Sequence, residues 1–268
     1  MMKMEKQKER KTKNINVKNF FLYIIFSLCY NTLHKNHSKE KSTMELIKVG
    51  KTKDVYRGTN GNIVLRFKDT VTGHASTGES DPGGNQVVGE KAGVGAAALK
   101  MTSLYFEMLK KLKIPTHFVS SDLEKQEMTV RPAVPFGNGL EFVVRYKAAG
   151  SFVKRFGAFC KEGDNLPAVF EMTLKDDNRD DPPVTPQILE ALKLMTKKQV
   201  VESEKLAIKV CDIVKNDLAK KGMDLIDIKV EVGLVDGKVA LIDEISGGNM
   251  RVEKDGKLLD YVSLSDRL

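Results

Sequence analysis

Residues 226–252 read IDIKVEVGLVDGKVALIDEISGGNMRV. Ile226, Ile228, Val230 and Val232 alternate with Asp227, Lys229 and Glu231. That period of two puts the apolar set on one side of a strand and three charges on the other. Asp236-Gly237 marks a turn, and KVALI returns as the second strand of a hairpin. Two registers are open. A two-residue Asp236-Gly237 turn sets Lys229 opposite Glu244. A three-residue turn over residues 235–237, with Gly237 left-handed, sets Lys229 opposite Asp243 and puts Asp243 on the face of Glu231. The second is the expected register. Two carboxylates on one face suit Mg²⁺, a hard cation that takes one or two carboxylates together with substrate phosphates. The plainer reading is a cross-strand salt bridge on a wet face, which contributes little.

The chain has 268 residues, 41% hydrophobic and 30% charged, which suits a globular protein with one large domain or two close lobes. The formal charge of +8 is unevenly placed. Residues 1–43 hold ten Lys/Arg and three Asp/Glu, and taking that +7 from +8 leaves +1 for residues 44–268. A near-neutral body removes the main ground for a nucleic-acid partner. Cys29, Cys160 and Cys211 have no C-x-x-C spacing, which argues against a disulfide framework or a zinc site and fits a reducing cytoplasm.

Residues 1–43 pair a basic run with the apolar stretch FFLYIIFSLCY at 20–30. Those eleven residues are too few to cross a bilayer core of roughly 30 Å as a helix, and no small-x-small cleavage pattern follows. The layout resembles a signal peptide, but a non-folding extension with no membrane role is expected there rather than an export signal. From Met44 onward the chain reads as strands in 44–69 with a hairpin signal at Asn60-Gly61, a long Gly/Ser/Thr-rich loop at 70–89, and a helix over 90–113. Strands at 127–132 and 140–146, a short helix at 151–159 and a strand at 170–174 come next. A long helix over 198–221, closed by Gly222, leads into the hairpin. A strand-rich first half and a helix-bearing second half give an α+β fold. The expected division is an N-terminal β-rich lobe over 44–132 and a C-terminal lobe over 133–268.

Three further constellations carry chemistry. In GKTKDVY (50–56), Lys51 and Lys53 at i, i+2 share a strand face, where they hold polyphosphate or simply face solvent. The segment is not a Walker A loop. In VVRYKAAGSFVKRFG (143–157), Arg145 offers a bidentate fork, and Ser151 stands at a helix start that attracts phosphate. A basic surface turn is the equal alternative. In LKDDNRDDPP (174–183), Lys175 and the carboxylates suit a zwitterion such as an amino acid, though a polar loop is the simpler reading. No Ser-His-Asp or Cys-His arrangement is required by any of these.

Taken together, GKTKDVY, FKD (67–69), KIPTHFV (113–119), VVRYKAAGSFVKRFG, LKDDNRDDP, IDIKVEVG and LIDEISGGNMR resemble the SAICAR synthetase family, in the family's order and over residues 44–251. The resemblance implies a two-lobed α+β fold with ATP in the cleft, related in plan to ATP-grasp and kinase-like folds. It implies an ATP-dependent ligase of purine biosynthesis that joins L-aspartate to CAIR (carboxyaminoimidazole ribonucleotide), giving SAICAR, ADP and phosphate. By the same resemblance Lys51 and Lys53 contact ATP phosphates, and Glu231 and Asp243 sit at the nucleotide and Mg²⁺. Lys229, Glu231 and Asp243 form the catalytic group. Arg145, Ser151, Asp227, Lys229 and Arg251 surround CAIR, and Lys175 with Asp181 face the aspartate. A homo-oligomer is compatible. The departure is Gly247-Gly248 where many members carry Pro-Asp. It implies a more mobile loop and a missing carboxylate, or one replaced by Asn249. A catalytically impaired nucleotide-binding protein and a kinase-like phosphotransferase on the same fold are the alternatives, and nothing resembling a kinase catalytic loop is present.

Overall fold

The computed structural model describes residues 44–74, 78–82, 84, 86–179 and 181–268; the extension expected over 1–43 lies outside them. The first strands are β1 (Glu45–Val49), β2 (Lys53–Arg57) and β3 (Ile63–Phe67). Asn60 and Gly61 take φ of 56° and 77° between β2 and β3, as a turn of that composition requires. Next come β4 (Thr70–His74), β5 (Glu79–Ser80) and β6 (Gln86–Glu90), then helix α1 (Val94–Lys111), β7 (Phe118–Asp122) and β8 (Glu127–Val130). Strands β1-β2-β3-β8-β7 form one antiparallel sheet and β5-β4-β6 a small second one. The second sheet occupies the stretch expected to be a loop. Its side chains are small and polar with no clear period, so pairing partners rather than hydrophobic alternation define those strands.

The second half contains β9 (Val134–Pro135), β10 (Leu140–Lys147), α2 (Ser151–Phe156), β11 (Asn165–Leu174), α3 (Pro186–Ala191) and α4 (Lys197–Lys220). It ends with β12 (Asp224–Val235), β13 (Lys238–Ile242), β14 (Met250–Lys254), β15 (Lys257–Leu258) and α5 (Tyr261–Asp266). These strands form a sheet ordered β11-β10-β12-β14-β15, with β13 and β9 also paired to β12. Antiparallel sheets with helices packed on one face make this an α+β fold, as expected.

The core lies under one face of the larger sheet. Helix α4 opens with a capping box between Thr196 and Gln199, which satisfies two of its free amide ends. It buries Val200, Leu206, Ala207, Val210, Val214 and Leu218, a stripe at i, i+3, i+4 spacing. Against it pack Phe142 and Val144 of β10 and Ile228, Val230 and Val232 of β12, all at most 1% exposed. Strand alternation therefore turns Glu141, Arg145, Asp227, Lys229 and Glu231 to the opposite face. Helix α1 has no capping side chain of its own at Gly93. Asp69, the last residue of FKD, supplies one by accepting from Gly93 N at 3.2 Å and Gly95 N at 2.9 Å.

Candidate active site

The β12–β13 turn differs from expectation. Val235 pairs with Lys238 and Glu231 with Ile242, so the connection is the two-residue Asp236-Gly237 turn, with φ of 50° and 74°. That is the type I′ geometry that follows strand twist, and it overturns the three-residue register. A regular strand would then point Asp243 away from Glu231. Asp243 instead adopts φ of 64°, left-handed backbone that a non-glycine residue enters at some cost. This reversal brings the two carboxylates into each other's field. Glu231 is pushed up, first by burial and then by the charge of Asp243. Burial would also raise Asp243, but Lys53 and then Lys175 hold it down at about 2.

Each cation on this face has an anionic partner. Lys53 Nζ lies 2.5 Å from Glu244 Oε1 and 3.1 Å from Asp243 Oδ1. Lys175 lies 2.5 Å from Glu231 Oε1. Lys229 pairs not with the hairpin carboxylates but with Glu141 of β10, at 2.6 Å. Lys51, in the bend before β2, meets Asp177 at 2.8 Å. The two lysines of GKTKDVY thus part company, one into the site and one to the loop after β11.

At the other end of the sheet Arg145 donates to Glu171 (2.6 Å), Asp227 (2.9 Å) and the Ser151 hydroxyl (3.0 Å). Arg251 donates to the same Asp227 oxygen at 2.7 Å and to Asp81 at 2.6 Å. Burial pushes the Asp227 carboxyl up in spite of these two guanidinium groups. Gly150 makes room for the arrangement: a Cβ there would stand 2.8 Å from Arg251 Nη2. Arg145, Ser151, Asp227 and Arg251 are therefore one cluster.

Lys175 and Asp181 are not brought together in the same way. Lys175 is taken by Glu231, while Asp181 Oδ1 accepts from Asp176 N at 2.7 Å in a tight loop. Burial and the nearby Glu141 charge push Asp181 up. Two groups escaped the sequence reading. Glu141, 5% exposed, precedes Arg145 by four residues on a strand, and that same-face spacing was the available signal. His117, from KIPTHFV, supports the far side of the hairpin: Leu241 N donates to Pro115 O and His117 N to Leu241 O, both at 3.0 Å.

The Gly247-Gly248 loop is held rather than loose. Asn249 accepts from Ser246 N (2.8 Å) and donates to Glu244 O (3.0 Å), while Gly248 N donates to Ser246 Oγ at 3.1 Å. The Asn249 side chain is thus spent on the loop and does not replace a substrate-facing carboxylate.

Buried ion pairs contribute little net stability, because desolvation offsets attraction. A face carrying Glu141, Arg145 and Asp227 at 5%, 5% and 4% exposure is therefore poorly explained by folding alone, and clustered carboxylates with displaced pKa values mark a functional site. The oxygen donors Glu231 and Asp243 fit a hard cation. Among the described residues no group of three or more His, Cys, Asp or Glu side chains is gathered to hold a metal ion unaided, so a metal here would need ligand oxygens to complete its shell.

Comparisons with known proteins converge. The SAICAR synthetase family model matches residues 46–257. The chain is 48% identical over 223 residues to the phosphoribosylaminoimidazole-succinocarboxamide synthase of Clostridium tetani, covering 82% of this chain and 97% of that protein. It is 38% identical over 206 residues to the enzyme of the same name from Aquifex aeolicus, covering 76% and 89%. Among solved structures, a SAICAR synthetase in complex with ADP superimposes with a TM-score of 0.70 at 28% identity, covering 80% of this chain and 87% of that one. The Ehrlichia chaffeensis synthase gives 0.71 at 25% identity, covering 81% and 89%.

Proposed function

The chain belongs to the SAICAR synthetase family, and from that premise we infer that it joins L-aspartate to CAIR with consumption of ATP. Its activity is that of a phosphoribosylaminoimidazole-succinocarboxamide synthase, an ATP-dependent ligase of purine biosynthesis. The observation that carries the reading at the level of the site is the reversal at Asp243, which sets two carboxylates beside Lys53 and Lys175.

A carboxylate is a poor electrophile. Transfer of the ATP γ-phosphoryl group to the CAIR carboxylate converts it to an acyl phosphate. The aspartate amine then attacks the carbonyl carbon, the C–O bond to phosphate breaks, and the amine gives up a proton as the amide forms. Such chemistry needs positioning and charge neutralisation more than a protein nucleophile. Lys51 and Lys53 orient the nucleotide phosphates, and the ADP bound to a relative supports use of a nucleotide. Glu231 and Asp243 would hold Mg²⁺ through their carboxylate oxygens, and the ion would supply neutralisation of phosphate charge. Arg145, Ser151, Asp227 and Arg251 hold the anionic end of CAIR. Lys229, fixed by Glu141, orients the reacting carboxylate region, and Lys175 and Asp181 face the aspartate.

Among the described residues no helix is long and apolar enough to cross a membrane, and a cytoplasmic location accords with the small soluble substrates. Phosphate release by the purified chain tests the assignment. Release that requires ATP, CAIR and aspartate together is expected. Turnover of ATP with neither co-substrate would overturn it.

A further inference from the structure

The C-terminal helix approaches the site through Tyr261. Tyr261 opens α5 and is 8% exposed. Its backbone lies against Gly247 so closely that a Cβ on that glycine would stand 2.9 Å from Tyr261 Cα and 3.0 Å from Cδ1. The ring continues past Gly248, where a Cβ would be 3.6 Å from Cε1. At the far end the phenol oxygen accepts from Ser80 Oγ at 3.3 Å. Ser80 adjoins Asp81, and Asp81 takes one arm of Arg251 at 2.6 Å.

We propose that Tyr261 is a positioning residue for substrate binding, acting on Arg251 from two directions. Through Gly247-Gly248 it sets the path of the loop that delivers Arg251. Through Ser80 it sets the strand end that presents Asp81 to the same guanidinium. Arg251 reaches its partners on a long side chain with considerable rotamer freedom. Fixing both the backbone that carries it and the carboxylate that receives it narrows that freedom before ligand arrives, which is how preorganisation raises affinity. The absence of a side chain at 247 follows from the same packing, since Tyr261 Cα and Cδ1 occupy the space it would need. α5 itself is anchored away from the site, by Asp260 capping Val262 and Ser263 (3.0 and 3.1 Å) and by Lys100 donating to Ser265 O at 2.8 Å.

The inference rests on the reading that Arg251 binds the anionic end of CAIR. Steady-state kinetics of the full chain and of Tyr261→Phe, varying each substrate in turn, tests it. Removing the hydroxyl alone should raise KM for CAIR by about fivefold, the weight of one lost hydrogen bond, with KM for ATP and kcat little changed. Ser80→Ala should give the same rise, and the double variant no more than either. An unchanged KM for CAIR in Tyr261→Phe, or equal rises for all three substrates alongside a lowered melting temperature, would overturn the positioning role. Failure of the wild-type chain to require CAIR would instead remove the assignment beneath it, so the two failures are distinct.

Discussion

His117 Nε2 stands 3.2 Å from the carbonyl oxygen of Asp243, so the imidazole braces the one peptide whose left-handed turn assembles the carboxylate pair. The ring is 4% exposed and held well down, to about 4, chiefly by burial. Asp243 opposes that shift, while Lys53 and Arg131 add to it. To donate to a carbonyl, the neutral ring carries its proton on Nε2.

A stability prediction follows from that depressed pKa. Above pH 6.5 His117 is neutral whether the chain is folded or not, and its full contribution is present. As pH falls from 6.5 toward 4, only the unfolded chain takes up the proton, which costs the native state about 3 kcal/mol. Denaturant titrations of wild type and His117→Gln between pH 7 and pH 4 should show the steeper loss in wild type. Parallel curves would remove this explanation.

Asp243→Asn keeps the shape of the side chain and leaves Lys53 its shorter contact with Glu244. If Asp243 holds metal and phosphate as proposed, turnover should fall by about a hundredfold or more. The melting temperature should stay within a few degrees of wild type. Near-wild-type phosphate release would show that the metal is held elsewhere.

Glu141→Gln removes the charged partner of Lys229 while keeping an oxygen for the Thr173 hydroxyl, now 3.1 Å from Glu141 Oε2. A hydrogen bond between charged groups carries about 1.5–3 kcal/mol, so kcat/KM for CAIR should drop about tenfold or more. Steady-state rates at varied CAIR provide the check.

The two neighbouring glycines should differ. A Cβ at Gly247 meets Tyr261 backbone at 2.9 Å, whereas at Gly248 the nearest atom is the rotatable Ser246 Oγ at 3.3 Å. Gly247→Ala should cost about 1–3 kcal/mol through overpacking and Gly248→Ala clearly less. Thermal melts of the two variants side by side measure the difference.

The parts of this fold with strong periodicity were legible in the sequence. Alternation in IDIKVEV identified β12 and its charged face, and the apolar stripe ending at Leu218 with Gly222 behind it identified α4, whereas its Thr196 cap went unread. What escaped depended on backbone reversal or on distant partners. Asp-Gly permits either hairpin turn, and nothing local announces that Asp243 will turn left-handed. Glu141 was visible as a charge four places before Arg145, but its lysine comes from another strand, 88 residues on. The contacts of Asp81 and Tyr261 join segments 170 and 181 residues apart, beyond any local pattern.

Lys53, Lys175, Lys229, Arg145 and Arg251 each already hold a carboxylate. An incoming anion therefore competes for cations that are in use, and its affinity is the difference between two sets of pairs. A lone anion strips a carboxylate of its partner and leaves a bare charge in a poorly hydrated place. A ligand bearing both signs, such as a metal–nucleotide complex or a zwitterionic amino acid, trades partners two for two. The site is in this sense an ion exchanger, and it favours ligands that bring their own counter-charge.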